Sequence, residues 1–261
     1  MIEEYRPLTI ICGTDSFCPI FREFRHADLD EFIYLGPKRA KAKRYLEIEQ
    51  RDMPHWYVPD RVGRSGEFLL DLLFDQAGLV EQTNAALKQM KIPYAVRIEV
   101  AGVAQLWVER RASDRFPNSA RCYADAGMGF QQLLPVIVQC LLPKHKTLLI
   151  EQPEAYIHPA HQVELGDLFI RSALGEQKNT LLVKTHSENM ILRILRRIQE
   201  TTYGELPEGF PAIRPEDVVI WYVQPTVNGG PKSTEIPVDE EGDFTRPWPQ
   251  GFFDGRIPEL F

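Results

Sequence analysis

Between Thr147 and Gln162 the chain reads TLLIEQPEAYIHPAHQ, in which Leu148, Leu149 and Ile150 run unbroken into Glu151 and Gln152 before Pro153 stops the run. A short apolar run bounded by a breaker predicts a strand buried on both faces, and α/β sheets place their chemistry at the C-terminal ends of such strands. Glu151 and Gln152 then stand at the mouth of a site, with Glu154 two residues on. Taken alone, a buried strand ending in a solvated carboxylate reads the same. Thr180-Leu181-Leu182-Val183 predicts a second buried strand, ending in Lys184-Thr185-His186-Ser187-Glu188. A histidine placed there serves either as a structural hydrogen-bonder or as a group reaching into the site. Asp125 to Gln132 reads DAGMGFQQ and precedes a strongly apolar helix through Leu133, Leu134, Val136, Ile137, Val138, Leu141 and Leu142. Glycines just before a helix, here Gly127 and Gly129, let backbone N–H groups approach an anion that the helix dipole favours.

These groups need elements to hold them. Leu8 to Cys12 predicts a β-branched strand that turns at Gly13, Thr14, Asp15 and Ser16. Phe68 to Phe74 has the apolar density of a buried helix, and Leu79 to Met90 continues at helical spacing. Tyr94 to Arg110 alternates as a β-hairpin about Gly102, Val163 to Ala173 and Met190 to Ile198 are amphipathic helices, and Val218 to Val223 is a last strand. Asp239 to Phe261 reads as loop, with Trp248, Phe252 and Phe253 among Pro and Gly. The basic run Lys38, Arg39, Lys41, Lys43, Arg44 is a solvated face or a surface for phosphate or DNA backbone.

With 261 residues, 44% of them hydrophobic, the chain can bury a sizeable core. A formal net charge of −7 argues against a surface that binds nucleic acid throughout, while leaving room for a local basic patch. No apolar run approaches the roughly 20 residues of a bilayer span, and no leader pattern opens the sequence, so a cytoplasmic protein with no membrane partner is expected. Cys12, Cys18, Cys122 and Cys140 form no Cys-x-x-Cys pair and no zinc-finger spacing with histidine, so reduced, packed thiols are expected.

The order of these segments resembles the ABC-type AAA ATPases, in the branch that includes RecF-like and OLD-like proteins. Glu151, Gln152, Pro153, Glu154, His158 and Pro159 are similar to its Walker B segment, and Gly127 to Gln132 to its signature loop. Lys184 to Glu188 is similar to its switch loop, and Tyr34-Leu35-Gly36-Pro37-Lys38-Arg39 to a segment between its nucleotide motifs. The tail resembles the C-terminal extension of one uncharacterised group within the branch. The resemblance implies an α/β P-loop NTPase fold of ABC-ATPase type: a largely parallel central sheet, an antiparallel β subdomain and a C-terminal extension. It divides the chain into an ATPase domain over 1–223 and an extension over 224–261. ATP and Mg²⁺ are the implied cofactors. Glu151 would hold the metal, Gln152, Glu154 and His186 would act around the attacking water, and Gly13, Thr14, Asp15 and Ser16 would cradle phosphate. Gly127, Gly129, Gln131 and Gln132 would meet the nucleotide of a second subunit in a head-to-tail homodimer. A nuclease partner and DNA are the other implied partners.

Four departures bear on activity. The phosphate loop requires Gly and Lys at positions 18 and 19, where Cys18 and Pro19 stand, and proline removes a backbone donor. The lobe that follows this loop in the family has no room in Phe17 to Asp30; a natural truncation, a deliberate deletion and an omitted internal segment would each produce this. Gln131 replaces the usual serine, and Gln152 replaces the glutamate that activates water in many relatives; glutamine orients water but cannot take its proton. Two functions therefore stand: a nucleotide-driven dimer switch acting on DNA or in anti-phage defence, and a non-catalytic binding protein that keeps the fold.

Overall fold

The computed structural model describes residues 6–13, 32–48, 60–111, 119–225 and 231–248. In chain order its elements are β1 (Leu8–Gly13), β2 (Phe32–Leu35), β3 (Leu46–Glu47), α1 (Leu69–Asp75), α2 (Leu79–Gln89), β4 (Tyr94–Ala101), β5 (Val103–Arg110), β6 (Ser119–Cys122), α3 (Met128–Leu141), β7 (Thr147–Glu151), α4 (Pro159–Leu174), β8 (Thr180–Lys184), α5 (Glu188–Tyr203), β9 (Val218–Pro225) and β10 (Pro231–Glu235). The fold is mixed α/β. One sheet has the order β10-β9-β1-β8-β7-β2, parallel throughout except that β10 returns antiparallel along β9. The other is antiparallel: β5 pairs with β4 along its whole length and with β3 and β6 on its other edge. Gly102, with φ +74°, makes the turn between β4 and β5, a conformation for which glycine has no Cβ penalty.

Period-2 alternation sorts the parallel strands into two faces. Leu8, Ile10 and Cys12 of β1, Ile33 and Leu35 of β2, Leu148 and Ile150 of β7, and Leu181 and Val183 of β8 join the main core. There α4 packs on β1 and β8 and against α5, while α3 packs against α2 and α4. The intervening residues Ile11, Leu149, Leu182 and Val223 form a second apolar cluster, with Phe32, Tyr34 and Trp221 packed on it. That parity carries Tyr34, Glu151 and Lys184 to the second face. Each fully buried Leu or Ile contributes roughly 1.5–3 kcal/mol.

Where α4 and α5 meet, charge is buried as well. Arg197 Nη2 donates to Asp167 Oδ2 at 2.7 Å and Nε to Oδ1 at 2.8 Å; Nη1 also bonds Glu200, and the guanidinium lies 4.6 Å from the Phe210 ring centre. Helix α5 begins at Ser187, whose hydroxyl accepts from Met190 N, and ends at Gly204 in the left-handed region, the preferred chemistry at both ends.

The expected strands and helices fall at the places stated above, with α4 starting earlier, at Pro159, and α5 running longer at both ends, Glu188–Tyr203. The strand over Phe32–Leu35, the two short strands flanking β5, and β10 were not expected. Strand β9 runs across the division placed at residue 223, and 231–248 continue the same sheet and core. Trp248 of the tail is buried, its ring 4.9 Å from Phe244 and 5.9 Å from Tyr222. Phe252, Phe253, Cys18 and Pro19 lie outside the described residues. Cys12, Cys122 and Cys140 are free thiols in buried positions, and burial pushes the Cys12 thiol up to about 12. No described helix is long and apolar enough to cross a membrane.

Candidate functional site

β1, β8 and β7 lie side by side, so their C-terminal ends bring Gly13, Lys184 and Glu151 to one edge of the sheet. Glu151 and Lys184 are register partners on adjacent strands. Their side chains are 7% and 8% exposed, with Lys184 Nζ 3.5 Å from Glu151 Oε2. The Tyr34 hydroxyl donates to Glu151 Oε1 at 2.6 Å, and Arg39 Nη2 donates to the Glu151 backbone carbonyl at 3.2 Å. Each carboxylate oxygen of Glu151 therefore already faces a proton donor.

Arg39 is the least satisfied group here. Its Nε and Nη1 are buried without a hydrogen-bond partner. Burial lowers its pKa to about 10, against the opposing pull of Tyr34, Glu151 and Glu154; the guanidinium is still a cation at neutral pH. A half-buried cation with two unpaired donors suits an anion with several oxygens, and Arg presents those donors in a fixed fork. The rest of the basic run is spent differently. Lys43 pairs with Asp71 at 2.9 Å, Arg44 makes a two-pronged bond to Asp125, and Lys38 and Lys41 are exposed. Strong hydrogen bonding from Arg44 holds the Asp125 carboxyl below its ordinary range.

The loop after β7 starts at Gln152, in the left-handed region at φ +47°, with Gln152 N donating to Lys184 O at 2.8 Å. This conformation is costly for a residue with a Cβ, and it turns the chain sharply off the strand. Glu154 reaches across to the loop after β8: its Oε2 accepts from Thr185 Oγ1 and its Oε1 from His186 N, both at 2.8 Å. Thr185 N in turn donates to Ile11 O, and Ser187 Oγ to Gln162 Oε1. The His186 imidazole is left exposed. Glu154 thus works as a clasp that fixes where His186 stands. Farther along, His158 caps α4, its Nδ1 accepting from Ala160 N.

At Gly13, the φ of +145° and a virtual Cβ only 1.8 Å from Val223 O admit glycine alone. Thr14, Asp15 and Ser16 lie outside the described residues. At the start of α3, Gly127 is open, with nothing within 4 Å of a virtual Cβ, whereas a Cβ on Gly129 would sit 2.5 Å from Tyr156 O. Gly129 therefore has a packing task inside its own subunit, beyond any role across an interface. Gln131 turns inward, its amide donating to Ala124 O and Ala126 O, while Tyr123 Oη donates to Gln131 O. It splints its own loop. Gln132 is part-buried in the first turn of α3.

The structure brings Glu151, Gln152, Glu154, His186 and Gly13 to the one sheet edge and keeps Gly127 to Gln132 at the start of α3. The sequence marked Arg39 only as one member of a basic run that could hold phosphate, and gave Tyr34 and Lys184 no part at Glu151. No local signal distinguishes Arg39 among five neighbouring cations, whereas Lys184, a charge ending an apolar strand, could have been paired with Glu151 once the two strands were taken as neighbours. The implied Mg²⁺ meets a poor fit. Glu151 is engaged by Tyr34 and Lys184, and the described residues contain no group of three or more His, Cys, Asp or Glu able to hold a metal. An anion, by contrast, fits the unused donors of Arg39.

Residues 107–192 match the profile of an AAA domain family described as "putative AbiEii toxin, Type IV TA system", and residues 213–256 match a family of unknown function, DUF3696. The first match spans the β5 to α5 region that carries Glu151, Glu154 and His186, and makes that segment similar to an AAA domain. No curated protein matches the chain. Similar solved structures include the Smc head domain of Pyrococcus furiosus bound to the C-terminal domain of ScpA (11% identity, 61% of this chain and 35% of that one, TM-score 0.41). Others are an SMC ATPase structure concerned with ATP-driven dimerization and DNA-stimulated activation (11%, 65% and 88%, 0.43) and the SMC head domain of Thermotoga maritima (9%, 66% and 51%, 0.40). The chain spans about a third of the length of the first of these.

Proposed function

We propose that this chain is a nucleotide-binding protein of ABC ATPase type in which ATP acts as a clamp between two head-to-tail copies, with slow turnover. The observation that carries this reading is Arg39, a half-buried cation whose Nε and Nη1 are buried without a hydrogen-bond partner beside the C-terminal ends of the parallel strands, where a phosphoryl group would find charge and hydrogen bonds together. His186, exposed and held by Glu154, supplies a polar group facing the same edge. Slow turnover follows from two groups. Gln152 cannot accept a proton, and both oxygens of Glu154 already accept hydrogen bonds.

Two exposed apolar side chains support assembly: Met128 and Tyr156, 58% and 74% exposed, next to the open Gly127. A second copy docking its nucleotide there would cover them, and two-fold symmetry would make both composite sites equivalent. The description of the AAA profile supports a place in a toxin–antitoxin or defence setting, with DNA and a nuclease as the partners this reading anticipates. The competing reading, a scaffold that keeps the fold without nucleotide, is favoured by the Glu151–Lys184 pair.

Sedimentation with and without ATP separates the two. The clamp reading expects the dimer fraction of the wild-type chain to rise with ATP, as mass action requires, and the Gly127→Glu variant, whose Cβ would have nothing within 4 Å, to lose that response while remaining folded. A wild-type chain whose association ignores saturating ATP, or a variant that dimerises as before, overturns it.

A further inference from the structure

We infer that Lys184 stands in for the divalent cation at this site, so that the chain takes a phosphoryl anion without metal. The inference rests on the nucleotide-binding reading above but makes a separate claim about Glu151.

Register places Lys184 directly beside Glu151 on neighbouring parallel strands. Both backbones are fixed by the sheet, and Gln152 N donates to Lys184 O across the same gap. The ammonium and the carboxylate, 3.5 Å apart and almost fully buried, neutralise one another where solvent screens little. Tyr34 Oη holds the second carboxylate oxygen at 2.6 Å. A hard divalent ion at Glu151 would have to displace the lysine ammonium or lie close to it. Like-charge repulsion opposes the second arrangement, and the first strands a buried ammonium without its partner. Lys184 and Tyr34 thus hold the two carboxylate oxygens, while Arg39 bonds the Glu151 backbone carbonyl. Glu151 is internally compensated, and the Nε and Nη1 of Arg39, buried and without a hydrogen-bond partner, are the donors left for an anion. The ligand class that fits is a phosphoryl or polyphosphate group whose charge is met by fixed side chains.

Two measurements test this. In the first, Mn²⁺ is titrated against protein without nucleotide, and the free-ion paramagnetic resonance signal reports binding. Wild type should leave the signal essentially unchanged, whereas Lys184→Met, which uncovers the carboxylate, should bind Mn²⁺ at least tenfold more tightly. The double variant Glu151→Gln/Lys184→Met keeps the site neutral and should fold and bind none. Should Lys184→Met fail to fold, the wild-type arm still decides: Mn²⁺ bound by wild type and lost in Glu151→Gln overturns the inference. In the second, a fluorescent ATP analogue is titrated in EDTA and in excess Mg²⁺. Affinities within about threefold support the inference, and a hundredfold loss in EDTA overturns it. Absence of ATP binding in both solutions would overturn the nucleotide reading and the phosphoryl part of this one; the Mn²⁺ titration would then still show whether Lys184 occupies the metal's place.

Discussion

Replacing Arg39 by methionine should separate ligand binding from stability. A guanidinium whose pKa falls from its ordinary value to about 10 on folding carries a penalty of about 3 kcal/mol for remaining charged, at ~1.4 kcal/mol per tenfold. The sign follows from linkage: the unfolded chain holds this proton more tightly, so the penalty is fully present below about pH 10 and is relieved as pH rises above it toward the ordinary guanidinium value. Against it stands the hydrogen bond from Nη2 to the Glu151 carbonyl, a charge-assisted contact of about 1.5–3 kcal/mol. Methionine removes both and keeps an unbranched apolar stem of similar reach. The two nearly cancel, and Arg39→Met should be as stable as wild type or about 1 kcal/mol more so. The ligand response should differ sharply. A ligand at a hundred times its dissociation constant adds about 2.7 kcal/mol, and this increment, read from urea unfolding followed by tryptophan fluorescence with and without ATP, should be present in wild type and absent in Arg39→Met. The wild-type response should also fade as pH passes about 10 and Arg39 loses its charge. A variant destabilised by more than about 3 kcal/mol, or one that keeps the ATP response, would show that Arg39 is a structural brace and that its unused donors have no ligand.

Other consequences can be checked separately. Gly129→Ala should cost about 1–3 kcal/mol, since its Cβ would meet the Tyr156 carbonyl at 2.5 Å, while Gly127→Ala should stay within about 0.5 kcal/mol; thermal unfolding of the two compares them directly. Glu154→Ala removes the acceptor for Thr185 Oγ1 and His186 N and should lower stability by about 2–4 kcal/mol, with hydrogen exchange accelerating at residues 185–187 more than in β7; uniform acceleration would argue against a local clasp. Asp167→Ala leaves Arg197 buried without its main partner and should cost about 3–5 kcal/mol, most of it recovered in Asp167→Ala/Arg197→Met.

The strands that carry the site were legible because their periodicity and breakers are local. The run Leu148–Ile150 ending at Glu151, the run Leu181–Val183 ending at Lys184, and the hairpin about Gly102 each announce themselves within a few residues. Gly129 was legible as a glycine before a helix, but its reason, a carbonyl from a loop 27 positions downstream, was not. The Thr14 to Ser16 turn stays an expectation, outside the described residues.

By itself, then, the sequence determined which segments are strands and helices, which strand ends bear carboxylate and imidazole, and that the usual lysine of a phosphate loop is lacking at position 19. Only the tertiary structure decided that β7 and β8 lie side by side in a register that sets Lys184 against Glu151. It alone decided that Glu154 turns to hold His186, and that one cation of the basic run is half-buried at the site while two others are spent on Asp71 and Asp125. The physical reason is range. Periodicity and turn chemistry act over a few residues of chain, whereas the pairing of charges depends on which elements pack together, and burial then magnifies each pairing because water no longer screens it.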